Sequence, residues 1–289
     1  MSTSLATALY DEVAHETSVM VIRRYSTSFS MATRLLGPGV REEVENIYGL
    51  VRVADEIVDG VAQGAGLVPA EVRRRLDEFE AETERAMASG YSANLIIHSF
   101  ALTARKTGIG TDLTRPFFAS MRADVVKKKH TKASFDEYVY GSAEVVGLMC
   151  LKAFLVDHPV SAAQEKRFVA GARALGAAFQ KVNFLRDLSA DADGLGRAYF
   201  PGVDIVNLTD AAKTELVADI DADLALSGAI VPDLPKSSRR AVALAQSLFA
   251  ELNRRIEKTP AAVLRTTRIS VPNSVKSRLL VQALMGKVT

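Results

Sequence analysis

The chain reads as an all-α fold, on three observations. Apolar residues recur at three- and four-residue spacing along most of its length, and alternating strand patterns are scarce. Residues suited to helix starts and stops punctuate those segments. No stretch has linker composition and no fixed period repeats, so one domain over residues 1–289 is expected.

In chain order, the periodicity predicts helices over 4–24, 40–60, 69–89, 92–107, 114–129, 134–156, 161–191, 209–227, 236–257 and 272–287. Pro69, after the Gly/Ala-rich "DGVAQGAG", suits the first turn of its helix. Ser134, before "FDEY", is the expected N-cap of the sixth, with acids in the first turn. The glycines and proline of "DADGLGRAYFPG" (191–202) should end the seventh. The basic "VVKKKHTK" (125–132) reads as a solvated helix end, with attraction to anionic lipid headgroups as the alternative.

Composition narrows the function classes. With 48% apolar residues a sizeable core is available, and a net charge of +2 argues against a nucleic-acid partner. Cys150 is the single cysteine, which excludes an intrachain disulfide and a cysteine-built zinc site. The N-terminal "MSTSLATALYDEVAHETS" lacks a signal-peptide pattern. The apolar "VVGLMCLKAFLV" (145–156) is short for a membrane span and holds Lys152. A soluble cytoplasmic protein is expected, with transient contact at the inner membrane face as its one extension and no obligate protein partner. No Rossmann glycines, Walker loop, GxSxG elbow or paired-cysteine motif occurs. His15 completes one ExxH, but a di-iron bundle needs two, and the other histidines lack the glutamate.

Two stripes carry the chemistry. Tyr48, Arg52, Asp55 and Asp59 fall within roughly 60° of a helical wheel, flanked by apolar residues. Gln180, Asn183, Asp187 and Asp191 span about 80° in the same way. Facing each other, they would form a pocket of hard oxygen ligands suited to Mg²⁺, with Mn²⁺ as the other ion admitted. Asp219 and Asp223 share the spacing without polar companions and read as a solvated face. Residue type alone leaves other readings open. Arg52 and Arg186 suit plain salt bridges, Tyr48, Tyr138 and Phe29 suit core aromatics, and Ser26 and Ser28 suit helix caps.

Four blocks, "YSTSFSMATRLL" (25–36), "IYGLVRVADEIVDG" (47–60), "YVYGSAEVVGLM" (138–149) and "QKVNFLRDLSADADGLGRAYFP" (180–201), together resemble the squalene and phytoene synthases, the head-to-head prenyl transferases. The wording "ADEIVDG" looks closest to bacterial phytoene synthases. The resemblance implies an isoprenoid synthase fold with helices around a central cavity. It implies Mg²⁺-dependent 1-1′ condensation of two geranylgeranyl diphosphates, through a cyclopropylcarbinyl diphosphate, to phytoene, without NADPH. Carried onto this chain, it places metal and diphosphate at Asp55, Asp59, Asn183, Asp187 and Asp191. Arg52, Arg186 and Arg268 match diphosphate-contacting arginines, and Gln180, Ser26, Ser28 and Phe29 match substrate-contacting positions. Tyr48 and Tyr138 match cavity tyrosines able to face cations or assist proton transfer. Two departures stand out. Thr27 replaces a common Lys or Arg, which leaves a phosphate contact missing or supplied by Arg23 or Arg24. Glu144 replaces a common glycine. The competing readings are a squalene or dehydrosqualene synthase using farnesyl diphosphate, a class I terpene cyclase, and an inactive homologue acting as a binding partner.

Overall fold

Among the residues that the computed structural model describes (3–126, 130–188, 199–204 and 207–286), every regular element is helical. α1 (Thr3–Tyr25) is followed by the short α2 (Thr27–Thr33) and by α3 (Pro38–Val58), which opens on a proline where an N–H would have no partner. Next come α4 (Val61–Gly64), α5 (Pro69–Ser89), α6 (Leu95–Thr107) and α7 (Thr111–Val126). α8 (Lys132–Val139) and α9 (Val145–Leu155) are joined by one π turn, Tyr140–Glu144. α10 (Ala162–Arg186), α11 (Asp210–Gly228), α12 (Lys236–Lys258), α13 (Ala261–Leu264) and α14 (Asn273–Leu284) complete the described elements.

The long helices match the periodicity, and the differences have local causes. α2, α4 and α13 are too short to establish a periodic apolar face. The cap of α8 is Thr131 rather than Ser134: Thr131 Oγ1 accepts from Ser134 N at 3.2 Å, and Ser134 Oγ accepts from Thr131 N at 3.0 Å. α3 stops at Val58 because Asp59 leaves helical geometry and Gly60 adopts a φ of +107°. α10 ends at Arg186, with Asp187 as its C-cap, so the expected helix through 191 is shorter.

Two apolar clusters hold the helices. Ile47, Leu50, Phe100, Phe117, Phe118 and Met149 are fully buried where α3, α6, α7 and α9 meet. Phe135, Val182, Phe184, Leu185, Ile220 and Ile256 form the second, among α8, α10, α11 and α12. Buried polar pairs set the register of α1: His15 bonds Asn46 at 3.0 Å, Asn46 donates to Thr103 at 3.1 Å, and Ser18 meets Ser99 at 2.9 Å. His15 is thereby engaged in packing. Asp219 is exposed, as the solvated-face reading expects, while Asp223 is half-buried. Lys181 donates to both, at 2.5 and 2.8 Å, and clamps α10 to α11.

The π turn follows from close approach. A Cβ on Gly141 would stand 2.2 Å from both Pro116 O and Ser120 Oγ, so only glycine fits there. Ser120 Oγ donates to Tyr138 O at 3.1 Å, taking up a carbonyl at the irregularity. Glu144 accepts from Arg173 at 2.6 Å and ties the turn to α10. The turn keeps residues 132–155 continuous, so this rod, unlike the apolar stretch alone, is long and apolar enough to cross a membrane. Its neighbours here are α3, α7 and α10.

Gly147 and Gly176 let α9 and the π turn approach α10. A Cβ on Gly176 would lie 2.5 Å from Ala143 O, and one on Gly147 2.5 Å from Ala172 O. Gly176→Val should therefore destabilise the protein by about 1–3 kcal/mol through overpacking against backbone. Denaturant unfolding checks this; an unchanged midpoint would show that α10 moves away without cost.

Candidate functional site

The two acidic stripes end up at two helix C-termini. Asp55 lies in the last turn of α3 and Asp59 is its C-cap; Asn183 lies in the last turn of α10 and Asp187 is its C-cap. One turn inward, Tyr48 and Val51 of α3 and Gln180 and Asn183 of α10 line one cavity of about 280 Å³. Beyond that polar end its lining is almost wholly apolar, including Phe29, Val146, Cys150, Leu175 and Phe179. A helix C-terminus carries partial negative charge, so carboxylates there are disfavoured unless cations join them.

Arginines supply that charge in this structure. Arg52 Nη1 donates to Asp55 at 2.7 Å, its other end pairs with Glu56, and its guanidinium lies 4.5 Å from the ring centre of Tyr25. Arg186 bonds the carboxylate of Asp187, which also accepts from Arg268 Nε at 2.6 Å. Burial pushes Asp187 up, but Arg186 and Arg268 outweigh it and hold the carboxyl below its ordinary value. Lowering the charge of Arg52 would relieve its burial; Asp55 and Glu56 prevail and raise its pKa.

Of the other residues singled out in the sequence, Phe29 and Tyr48 face the cavity, with ring centres 6.1 Å apart. Ser26 is both things the sequence allowed. Its Oγ caps α2 by accepting from Phe29 N at 3.1 Å, and while burial pushes up the pKa of the neighbouring Tyr48 phenol on balance, Ser26 lowers it. Ser28 is half-buried on α2 and does not line the cavity. Tyr138 is not among the lining residues either. It sits in the core cluster beside the site, donates to Asp124 Oδ2 at 2.8 Å, and senses the charge of Asp55. Burial, then Asp124, keep this phenol protonated well above its usual range. Asp191 lies outside the described residues.

Asp124 had no sequence signal beyond being an acid in an amphipathic helix. Lys276 was missed too. Its ammonium reaches Thr27 Oγ1 at 3.3 Å, bringing a cation from α14 to the place where Thr27 stands. Arg23 and Arg24 are exposed on α1. Glu144 points to Arg173 on α10, and the cavity wall at this level is Ser142 and Ala143.

Whether the residues fit a divalent ion is tested by their chemistry. Among the described residues no three His, Cys, Asp or Glu side chains gather closely enough to hold a metal unaided. Mg²⁺ is commonly held by one or two carboxylates, with water and substrate phosphates completing the shell, and the donors here suit that mode. Asn183 Oδ1 is a buried acceptor with no hydrogen-bond partner among the described residues, as is Arg52 Nε among donors. Such orphans want a ligand to complete them. The site fits Mg²⁺ brought with a diphosphate.

Comparison with known proteins places the fold and the family. A family model described as squalene/phytoene synthase matches residues 22–274. The chain is 29% identical to 15-cis-phytoene synthase of Paracoccus sp. (strain N81106 / MBIC 01143), over 91% of this chain and 88% of that protein. It is 31% identical to phytoene synthase 3, chloroplastic, of Zea mays, over 80% of this chain and half (50%) of that protein's length. A crystal structure of a dehydrosqualene synthase with ligand superposes with a TM-score of 0.76 at 19% identity, covering 96% of this chain and 97% of that one. A squalene synthase from Alicyclobacillus acidocaldarius superposes with a TM-score of 0.73 at 17% identity, covering 87% and 97%. The fold is that of the isoprenoid synthases, of the squalene synthase type.

The cavity wall carries a titratable reporter. The accessible surface of Cys150 opens into the cavity, and burial pushes its thiol up to about 12. A pKa raised in the folded state gives stability present below the unfolded value of about 8.5 and lost as pH rises toward 12. Between pH 9 and 11 the parent should therefore lose about 1 kcal/mol per pH unit more than Cys150→Ala. Unfolding free energies across that range check it; parallel curves would mean the thiol ionises freely.

Proposed function

The chain belongs to the squalene/phytoene synthase family, and from that premise we propose that it is a phytoene synthase. It would join two geranylgeranyl diphosphates head to head, by way of a cyclopropylcarbinyl diphosphate, into phytoene and diphosphate, as a step of carotenoid synthesis. The observation that carries the reading is one cavity with an apolar interior and a polar side at Tyr48, Gln180 and Asn183, whose amide oxygen is orphaned, on the two helices that end in Asp59 and Asp187. That is the shape of a substrate with a long hydrocarbon tail and a diphosphate head. The names of the relatives in Paracoccus and maize support the C20 substrate.

Each group has a task in this reaction. When bound, Mg²⁺ neutralises charge on the departing diphosphate, and Asp55, Asp59, Asn183 and Asp187 are the residues that would hold it, with Asp191 beside them in sequence. Arg52, Arg186 and Arg268 present planar donors to phosphate oxygens, and Lys276 adds a point charge near Thr27. Gln180 stands at the polar end of the tail channel. Phe29, Tyr48 and Phe179 turn aromatic rings toward a carbocation, which their π faces stabilise without trapping it. The apolar walls exclude water that would quench the cation. Tyr138, held as a neutral phenol by Asp124, orders the wall behind Asp55 and leaves the negative charge on the carboxylates. Proton loss from the last cation gives the final double bond and needs no reductant. The protein is expected to work in the cytoplasm and to meet its greasy substrates at a membrane surface.

Purified protein with Mg²⁺ and either C15 or C20 diphosphate, with and without NADPH, should yield phytoene from the C20 substrate in both conditions. Dehydrosqualene or squalene from the C15 substrate alone would move the assignment to the farnesyl enzymes. No condensation with either would leave the inactive-homologue reading. Asp59→Asn and Asp187→Asn should each lower turnover by about 10²-fold or more at unchanged helical content. Activity near the parent's would make both acids structural.

A further inference from the structure

The apolar cavity borders a second hollow, and the two share a lining side chain. On α3 its lining runs Val51, Tyr48, Ile47 and Val44, away from the acidic end. On the π turn and α9 it runs Ser142, Val146, Cys150 and Phe154 in the same direction. At the helical rise, Val44 lies roughly 16 Å from Asp55 along α3. Past that point lies a second hollow of about 230 Å³. Gly37, Val40 and Glu43 at the start of α3 form one side of it, and Ala153, Asp157 and His158 at the end of α9 form the other. Among the residues lining the two spaces, Phe154 is the one they share.

We propose that Phe154 is the length stop of the tail channel: its ring stands between the apolar cavity and the hollow behind. The inference rests on the reading of the substrate as a prenyl diphosphate, and it says where that substrate's chain must end. Phe154 packs with Leu148 and Leu155 against the buried Leu151, Phe168 and Leu234, so the ring is supported from the protein side. A chain longer by one isoprene unit would have to displace it. Removing the ring joins the two spaces and gives the extra carbons an outlet between Val40 and Ala153. The wall on α9 is then a determinant of chain length, apart from the acids and arginines that hold the head group.

Binding tests this independently of turnover. Affinities of non-cleavable thiolo-diphosphates bearing C10, C15, C20 and C25 prenyl chains would be measured calorimetrically in the presence of Mg²⁺. In the parent, affinity should rise with chain length up to the stop and then fall. In Phe154→Ala the break should move one isoprene unit longer, with the first excluded chain gaining about ten-fold relative to the longest accepted one. Phe154→Trp should move it shorter, and Val40→Trp added to Phe154→Ala should return it toward the parent by filling the hollow. Phe154→Leu keeps most of the packing and carries the test, with a smaller shift, if the alanine variant does not fold. An unchanged break in the Ala or Leu variant that still binds the accepted chains would overturn the length stop. No binding of any chain to the parent would remove both the stop and the prenyl diphosphate reading. Binding with a clear break but no condensation in the enzymatic assay would remove only the catalytic assignment.

Discussion

Negative charge gathered at two helix ends is the constraint on which the rest of the structure depends. α3 and α10, which both line the cavity, each end with an oxygen-bearing side chain, Asp55 or Asn183, in the last turn and one carboxylate at the C-cap. The helix dipoles add to the repulsion instead of relieving it. Arg52, Arg186 and Arg268 answer part of that charge from within the chain. Asn183 Oδ1 and Arg52 Nε stay without partners among the described residues, which is what the proposed diphosphate and its cations would complete. A binding site of this kind forgoes some folding stability to keep its groups prepositioned.

The cavity beneath exists because the neighbouring helices are held close by glycine and kept apart by aromatic rings. Gly147 and Gly176 allow α9 and the π turn to touch α10. Phe29, Phe179 and Phe249 stack near one another, with Phe179 and Phe249 3.7 Å apart between ring centres, and prop α2, α10 and α12 around the opening. The π turn re-aims the rod, so that Ser142 and Ala143 face the cavity while Tyr138 turns to Asp124. In the proposed reaction, head-group chemistry and tail binding would be set by different features: helix ends for the first, close-packed helix faces for the second.

Much of this was legible in the residues. The long helices followed from apolar periodicity because each buries one face, and the two stripes followed from spacing plus polar companions. Where the helices stop did not follow. The periodicity kept Asp59 and Asp187 inside helices running to 60 and 191, whereas both are C-caps, since Gly60 and the backbone of Asp187 leave helical geometry. That change is what brings the helix dipoles into the argument. Asp219 and Asp223 lacked companions within their own segment, and their partner Lys181 lies on another helix. Lys276 and Asp124 escaped notice for the same reason: a contact between distant segments, such as Lys276 with Thr27, has no local pattern.

The central claim is that the two helix ends act as one site for a diphosphate and its cations. Calorimetric titration of the protein with inorganic diphosphate, in the presence and absence of Mg²⁺, tests it most directly. The account expects tight binding only when both are present, weakened at least about ten-fold by Asp55→Asn on α3 and equally by Asn183→Ala on α10. Binding that ignores Mg²⁺, or that responds to one helix end and not to the other, would contradict it.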